Sequence, residues 1–399
     1  MKKAFFAKSF LIKALSVLLI IGLYACGNNV NDEISDTDRD ETQDTSQSDN
    51  DGDTVDTSQS GKDTYYLNSP ALDIRFFGER ELKDGIYYTC NYPGSGFESK
   101  LDCTNGLIAV ELITDKECSF LVYLDGELQK NAEGGELFTV KGEDAIRITN
   151  VSEGEHTLRV IRASGIGARV RLYALNFTGE LLSVDGANDE RMFIEFIGDG
   201  INSTVGGASL SENVGLTYPY LVAEQLNADY SITAYEGYGF ISTNTSLAEL
   251  YGDESYGNFS RRADVVVINV GATDFLEIGD AAIGVAKFQS EYEKLARTVR
   301  AINGARCKIL LVCTSGNESF SEAVEAVCEK LGGETGGYFV RTIDNSSNIP
   351  HTEAEHQTYA AAVAEAINEI KNTNVMGLTV KEKGNGNSVH FESDEWLDI

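Results

Sequence analysis

Between Phe193 and Ser203 the chain reads FIEFIGDGINS, an apolar strand-like run that breaks into Gly198-Asp199-Gly200. A carboxylate and a bare backbone thus arrive together at the end of a strand, the place where open α/β sheets form their ligand crevices. Gly200 offers chemistry no side chain, only its backbone N–H. Ser203 stands three residues on, where a loop or a first helical turn aims it elsewhere. A second polar group lies in Gly271-Ala272-Thr273-Asp274, where the Thr273 hydroxyl has a single hydrogen to donate. His351 follows Pro350 just ahead of a helical pattern that contains His356. Other chemistries find less support. There is no Cys-x-x-Cys or His-x-x-x-His spacing for zinc, and Asp49-Asn50-Asp51-Gly52-Asp53 lacks the closing glutamate of a calcium loop.

Those residues have to be positioned by a scaffold, and the periodicity supplies one. From about Arg191 onward, apolar runs (FIEFIG, YSITAYE, DVVVINV, KILLVCT) alternate with amphipathic stretches (TYPYLVAEQLN, VAKFQSEYEKLARTVRAIN, SEAVEAVCEKLG, EAEHQTYAAAVAEAINEIK). Alternation of this kind predicts a parallel sheet covered on both faces. From about Tyr65 to Leu182 the rhythm is instead one of short alternating segments separated by turns, as in FLVYLDGEL with its Asp125-Gly126 pair and in EGEHTLRVIRAS. That pattern predicts a β-sandwich of jelly-roll type, with His156 in a structural place. Beyond Asn372 a tail containing the chain's one tryptophan, Trp396, reads as a hairpin around Gly-Asn-Gly-Asn.

The N-terminal part has another character. A lysine-containing start, the run ALSVLLIIGL and then Tyr24-Ala25-Cys26 read as an export signal, with Cys26 as the lipidated first residue of the mature chain and ordinary secretion as the alternative. Residues 27–63 are rich in Asp, Thr, Ser, Gln and Asn and nearly devoid of large apolar side chains, the composition of a disordered acidic stalk. The chain's net charge of −31 argues against a nucleic-acid partner, because phosphate binding needs a basic face. Six further cysteines in an exported chain permit disulfides, Cys90 with Cys103 being one candidate bridge, while small buried thiols are the plainer alternative.

In combination, YPGSGFESKL, FLVYLDGEL, EGEHTLRV, IEFIGDG, LTYPYLVAEQLNADYSITAYEGYGF, FSRRADVVVINVGATDF and TEAEHQ resemble carbohydrate esterase family 2, in this order and over roughly residues 70 to 371. The resemblance implies a jelly roll (64–185) joined to an SGNH-type, GDSL-like hydrolase domain with a flavodoxin-like parallel sheet (186–371). The export segment (1–25), the stalk (26–63) and the tail (372–399) lie outside those two domains. It also implies deacetylation of polysaccharides without a cofactor or metal, by a serine nucleophile, a histidine base and an oxyanion hole of backbone N–H groups and an asparagine. Carried onto this chain, the nucleophile position is Gly200 beside a retained Asp199, the asparagine position is Thr273 beside Asp274, and Gly237 matches the second glycine block. The base position falls on Pro350, with His351 one place late. Loss of a serine nucleophile costs about a millionfold in rate, or roughly 8 kcal/mol. The expected function is therefore a catalytically silent, glycan-binding surface lipoprotein. An active polysaccharide O-deacetylase with a non-standard site and a structural scaffold protein are the alternatives. Tyr235, Tyr238 and Phe275, with Tyr218, Phe240, Tyr251 and Tyr256, are candidates to stack on sugar rings, core packing being the competing use.

Overall fold

The computed structural model describes residues 63–398 apart from 69–73, 79–80, 84, 91, 105, 165–166, 185–190, 199–212, 235–238, 242–246, 252–260, 272–273, 275–281, 346–349, 351, 374–380, 383–387 and 391–395. The export signal, Cys26 and nearly all of the stalk fall outside the described residues. Among the described residues no helix is long and apolar enough to cross a membrane.

The first part is built from β1 (Asp63–Tyr66), β2 (Arg75–Phe77), β3 (Glu81–Lys83), β4 (Tyr87–Thr89), β5 (Gly96–Cys103), β6 (Leu107–Leu124), β7 (Glu127–Leu128), β8 (Phe138–Thr149), β9 (Gly154–Arg162), β10 (Val170–Phe177) and β11 (Gly179–Leu182). All their pairings are antiparallel, and the sheet path runs β11-β5-β9-β6-β10-β4-β3. The long strand β6 explains how this sheet curls. Its Ala109–Thr114 half pairs with β10, its Phe120–Leu124 half pairs with β9, and a register irregularity between Thr114 and Cys118 separates the halves against β8. Such an interruption bends a strand and lets one sheet fold over a core. Inside lie Phe97, Leu101, Ile108, Val110, Leu112, Phe120, Val122 and Leu158, all at most 1 % exposed, which follow the two-residue alternation of their strands. Asp125 and Gly126 both have positive φ (55° and 80°), the geometry of a two-residue hairpin turn, and join β6 to β7. The Cys90–Cys103 bridge is not formed. Both thiols are buried, Cys90 just beyond β4 and Cys103 at the end of β5, strands that the sheet path separates by β9, β6 and β10.

The second part is a parallel sheet of β12 (Phe193–Gly198), β13 (Asp229–Ala234), β14 (Val265–Asn269), β15 (Lys308–Thr314) and β16 (Tyr338–Ile343) in the order β13-β12-β14-β15-β16. Helices α1 (Tyr218–Leu226) and α5 (Glu353–Ile370) cover one face, packing Tyr218, Val222, Tyr359 and Val363 on Ile194, Phe196, Val265 and Val267. Helices α2 (Leu247–Tyr251), α3 (Ala282–Asn303) and α4 (Glu318–Lys330) cover the other, packing Tyr251, Phe288, Leu295 and Phe320 on Ile197, Val266, Ile268 and Leu311. Burial on both faces is why these strands read as near-continuous apolar runs. Strand β16 was absent from the sequence reading because it is an edge strand that carries Arg341 and Thr342. In the tail, β17 (Lys381–Glu382), β18 (Ser388–His390) and β19 (Trp396–Asp398) form a small antiparallel sheet, one strand more than the hairpin expected.

The curled sheet closes over edge strand β13 of the parallel one. The Gly78 N–H donates to the Tyr230 carbonyl (3.0 Å), the Tyr230 hydroxyl donates to the Gly94 carbonyl (2.9 Å), and the Phe77 and Tyr230 rings stack at 6.1 Å. Phe77, Leu121, Ile161 and Ala163 share one apolar cluster with the sheet and helices of the second part. Arg159 spans the same boundary, pairing with Glu224 and lying 4.8 Å over the Phe77 ring.

Candidate active-site region

In register, Gly198 at the end of β12 stands between Ala234 of β13 and Asn269 of β14. The ends of these three strands therefore lie side by side, and the segments that follow them in sequence carry the predicted site apart from Pro350 and His351, which follow β16. Asp199, Gly200, Ser203, Tyr235, Gly237, Tyr238, Tyr256, Thr273, Phe275 and His351 lie outside the described residues. Asp274 and Pro350 are described, and both are buried.

Asp274 ties two of the segments together. Its side chain is fully buried, and its carboxylate accepts the backbone N–H groups of Phe240 and Ile241, each at 2.8 Å. A carboxylate can be held dry in this way because charge-assisted bonds to N–H groups replace its water. Gly239 is what permits the approach, since a Cβ there would lie 2.4 Å from an Asp274 oxygen. Gly271 is fixed equally closely. Its φ is +125°, and a Cβ would meet Phe320 at 2.6 Å and Phe288 at 2.9 Å. Two glycines and one buried acid thus fix the backbone from Gly239 to Ile241 and at Gly271.

A second set of contacts anchors the start of α5. The Tyr218 N–H, at the first turn of α1, donates to His356 Nδ1 at 3.1 Å, and the two rings stack at 6.2 Å. Because Nδ1 accepts, a neutral His356 carries its proton on Nε2. The Asn269 amide donates to the Tyr218 hydroxyl at 3.1 Å, while its fully buried Oδ1 has no hydrogen-bond partner among the described residues. A Thr352–Glu355 capping box closes the N-terminus of α5. His356 is thus the helix residue expected from the sequence, but one with a positioning job: it holds α1 against the helix that His351 precedes.

Behind the strand ends, burial pushes the Glu195 carboxyl up to about 7, while hydrogen bonds to Tyr251 (2.7 Å) and Thr233 (3.5 Å) hold it down. Asn303 joins this group through the Tyr251 hydroxyl at 3.4 Å. The sequence reading passed over Glu195 because a single acid inside FIEFIG looks like a solvent-facing interruption. Its signal would have been that the strand is apolar on both sides.

Of the aromatics weighed between sugar stacking and core packing, three are core residues. Tyr218, Phe240 and Tyr251 are 0, 2 and 1 % exposed, respectively, because they fill the spaces between the sheet and its helices.

One serine–histidine–aspartate array does occur, in the β-part. His156 Nδ1 lies 2.7 Å from Asp125 Oδ2, and Nε2 lies 3.2 Å from the Ser152 hydroxyl. Nε2 also lies 2.9 Å from the Ser152 carbonyl, which can only accept, so this nitrogen carries a proton and is no base for the serine. The array clamps two turns, in keeping with a structural His156. Among the described residues no group of His, Cys, Asp and Glu could hold a metal ion.

A parallel sheet joined to a curled antiparallel sheet is a fold this chain shares with solved structures of family two carbohydrate esterases. The solved structures that this chain resembles are of that kind. A family two carbohydrate esterase from Clostridium thermocellum in complex with cellohexaose is 22% identical, with a TM-score of 0.61, over 74% of this chain and 98% of that one. An acetyl xylan esterase from the rumen bacterium Butyrivibrio proteoclasticus is 16% identical, with a TM-score of 0.63, over 77% and 98% of the two chains. A carbohydrate esterase whose active site displays divergent catalytic and non-catalytic binding functions is 19% identical, with a TM-score of 0.59, over 75% and 98%. No family model matches the sequence, and no curated protein does either.

Proposed function

We propose that this protein is an exported, lipid-anchored, glycan-binding counterpart of the family two carbohydrate esterases that turns over no ester. In this reading residues 64–185 form a jelly roll, residues 186–371 the SGNH-type unit, and Cys26 carries the lipid at the end of an acidic stalk. The observation that carries the reading is a contrast between structure and sequence. Gly239, Gly271 and Asp274 are held under tight steric control, whereas the residue that the resemblance puts at the nucleophile position is Gly200. A glycine forms no acyl-enzyme, Thr273 supplies one donor where an amide would supply two, and His351 is one residue out of step. A cleft stripped of its nucleophile and still held in shape suits binding. The cellohexaose complex of one similar structure and the non-catalytic binding function of another give that use a precedent on this fold.

Calorimetric titration of the full chain with cellohexaose and with plain and acetylated xylo-oligosaccharides tests the reading. Saturable binding of at least one of them is expected. Absence of binding across the set, with the protein shown to be folded, would leave the scaffold alternative in its place.

A further inference from the structure

Away from the strand ends, the curled sheet carries a surface patch that combines aromatic rings with an arginine stacked on one of them. Strands β10, β4 and β3 are neighbours, and pairing of Leu172 with Tyr88 and of Lys83 with Tyr87 sets Tyr173, Tyr87 and Lys83 in one row across them. The Tyr87 and Tyr173 rings lie 5.3 Å apart, inclined at 43°, so they form a shallow angled shelf and not a closed stack. Arg171, two residues before Tyr173, is exposed and places its guanidinium 5.1 Å over the Tyr87 ring. Among the described residues its side chain has no hydrogen bond and no ion pair. Next to this row, Tyr66 is 61% exposed and Ile86 is 55% exposed.

Core packing does not account for these rings: the buried residues of β10 are Val170, Leu172, Ala174, Leu175 and Phe177, and neither Tyr87 nor Tyr173 belongs to the apolar core clusters. An arginine stacked on a tyrosine is held in place and keeps its outer donors for a planar acceptor. In a chain of net charge −31, an exposed guanidinium beside a lysine is complementary to an anionic group. Two inclined tyrosine rings supply flat apolar faces for the C–H sides of sugar rings and hydroxyls for their rims.

We propose that Tyr87, Tyr173 and Arg171 form a surface subsite for a uronate-bearing polysaccharide, with sugar rings on the tyrosine shelf and a uronate carboxylate on Arg171. This subsite is separate from the strand-end cleft and does not depend on how that cleft is used.

Affinity electrophoresis of the full chain in gels containing polygalacturonate, with fully methyl-esterified polymer as the neutral comparison, tests the assignment. Retardation by the charged polymer is expected. Arg171→Gln should weaken it about tenfold, the scale of one charge-assisted contact, and raised salt should weaken it too. Tyr173→Ala should remove the retardation, whereas Tyr87→Phe, which keeps the ring, should bind nearly as the natural chain does. Arg171 is exposed, so Arg171→Gln should melt at an unchanged temperature, which separates lost binding from lost folding. The proposal is overturned if polygalacturonate does not retard the protein, if the neutral polymer binds equally well, or if Arg171→Gln binds unchanged. It is also overturned if binding occurs only after deletion of residues 27–58, which would give the patch to the chain's own acidic segment.

Discussion

Replacing Glu195 by glutamine should make the protein more stable above neutrality, with no change in acid. The side chain is 8 % exposed and sits on β12 among Tyr251, Thr233 and the Asn303 amide. Burial raises its carboxyl from 4.5 to about 7. An acid whose pKa is raised on folding stabilises the fold fully below the unfolded value and loses that contribution as pH climbs through the folded one. The gap of roughly two and a half units corresponds to about 3 kcal/mol, lost between pH 4.5 and just above 7. Glutamine keeps an oxygen to accept from the Tyr251 hydroxyl and never ionises. Denaturant unfolding of both forms across pH 4 to 8.5 measures the difference directly, and subtracting one form from the other cancels the background repulsion of a highly acidic chain. The two should coincide near pH 4, and Glu195→Gln should lead by about 3 kcal/mol at pH 8. A variant that is weaker than the natural chain throughout, or a gap that does not widen with pH, would show that Glu195 is held as a paired carboxylate and would refute the reasoning.

Other consequences can be checked in parallel. Asp274→Asn would set an amide against one of the two N–H groups the carboxylate now accepts, and should cost about 2–3 kcal/mol in chemical denaturation, with the loops at Phe240 and Gly271 losing hydrogen-exchange protection first. Tyr230→Phe removes the bond to the Gly94 carbonyl between the two parts and should cost about 1 kcal/mol without changing secondary structure by circular dichroism. Burial pulls the His156 imidazole down, but its bonds to Asp125 and the Ser152 carbonyl outweigh this and leave it raised. Its contribution to stability should be complete below about 6.5, lost as pH rises through the raised value, and absent in Asp125→Asn, as read from pH-dependent melting.

Much of the scaffold was legible because its signals are local. The runs FIEFIG, DVVVINV and KILLVCT became β12, β14 and β15, since strands covered on both faces must be apolar throughout. The amphipathic stretches became α1, α3, α4 and α5 for the same reason on a 3.6-residue period. Asp125-Gly126 was a turn because few other residue pairs accept positive φ twice. What escaped was decided by distant partners. Nothing around Tyr251 announces that its hydroxyl meets Glu195, 56 residues earlier, so the sequence left it open between cleft and core. Similarly, His356 looked like any helix residue until its Nδ1 was found on the Tyr218 N–H, 138 residues away in the chain. Cys90 and Cys103 are near each other in sequence and in the same compartment of the fold, yet sheet order and not sequence distance decides whether two thiols meet.

The measurement that bears most directly on the account is acetate release from acetylated xylan and from an aryl acetate by the natural chain, beside its Gly200→Ser variant. The account predicts that the natural chain is silent, since the missing nucleophile alone is a loss of about a millionfold. It further predicts at most a small gain in Gly200→Ser, because Thr273 and the position of His351 remain unrepaired. Turnover by the natural chain at the rates common to enzymes, about 1 to 1,000 per second, would contradict the account and require a nucleophile other than the residue at position 200.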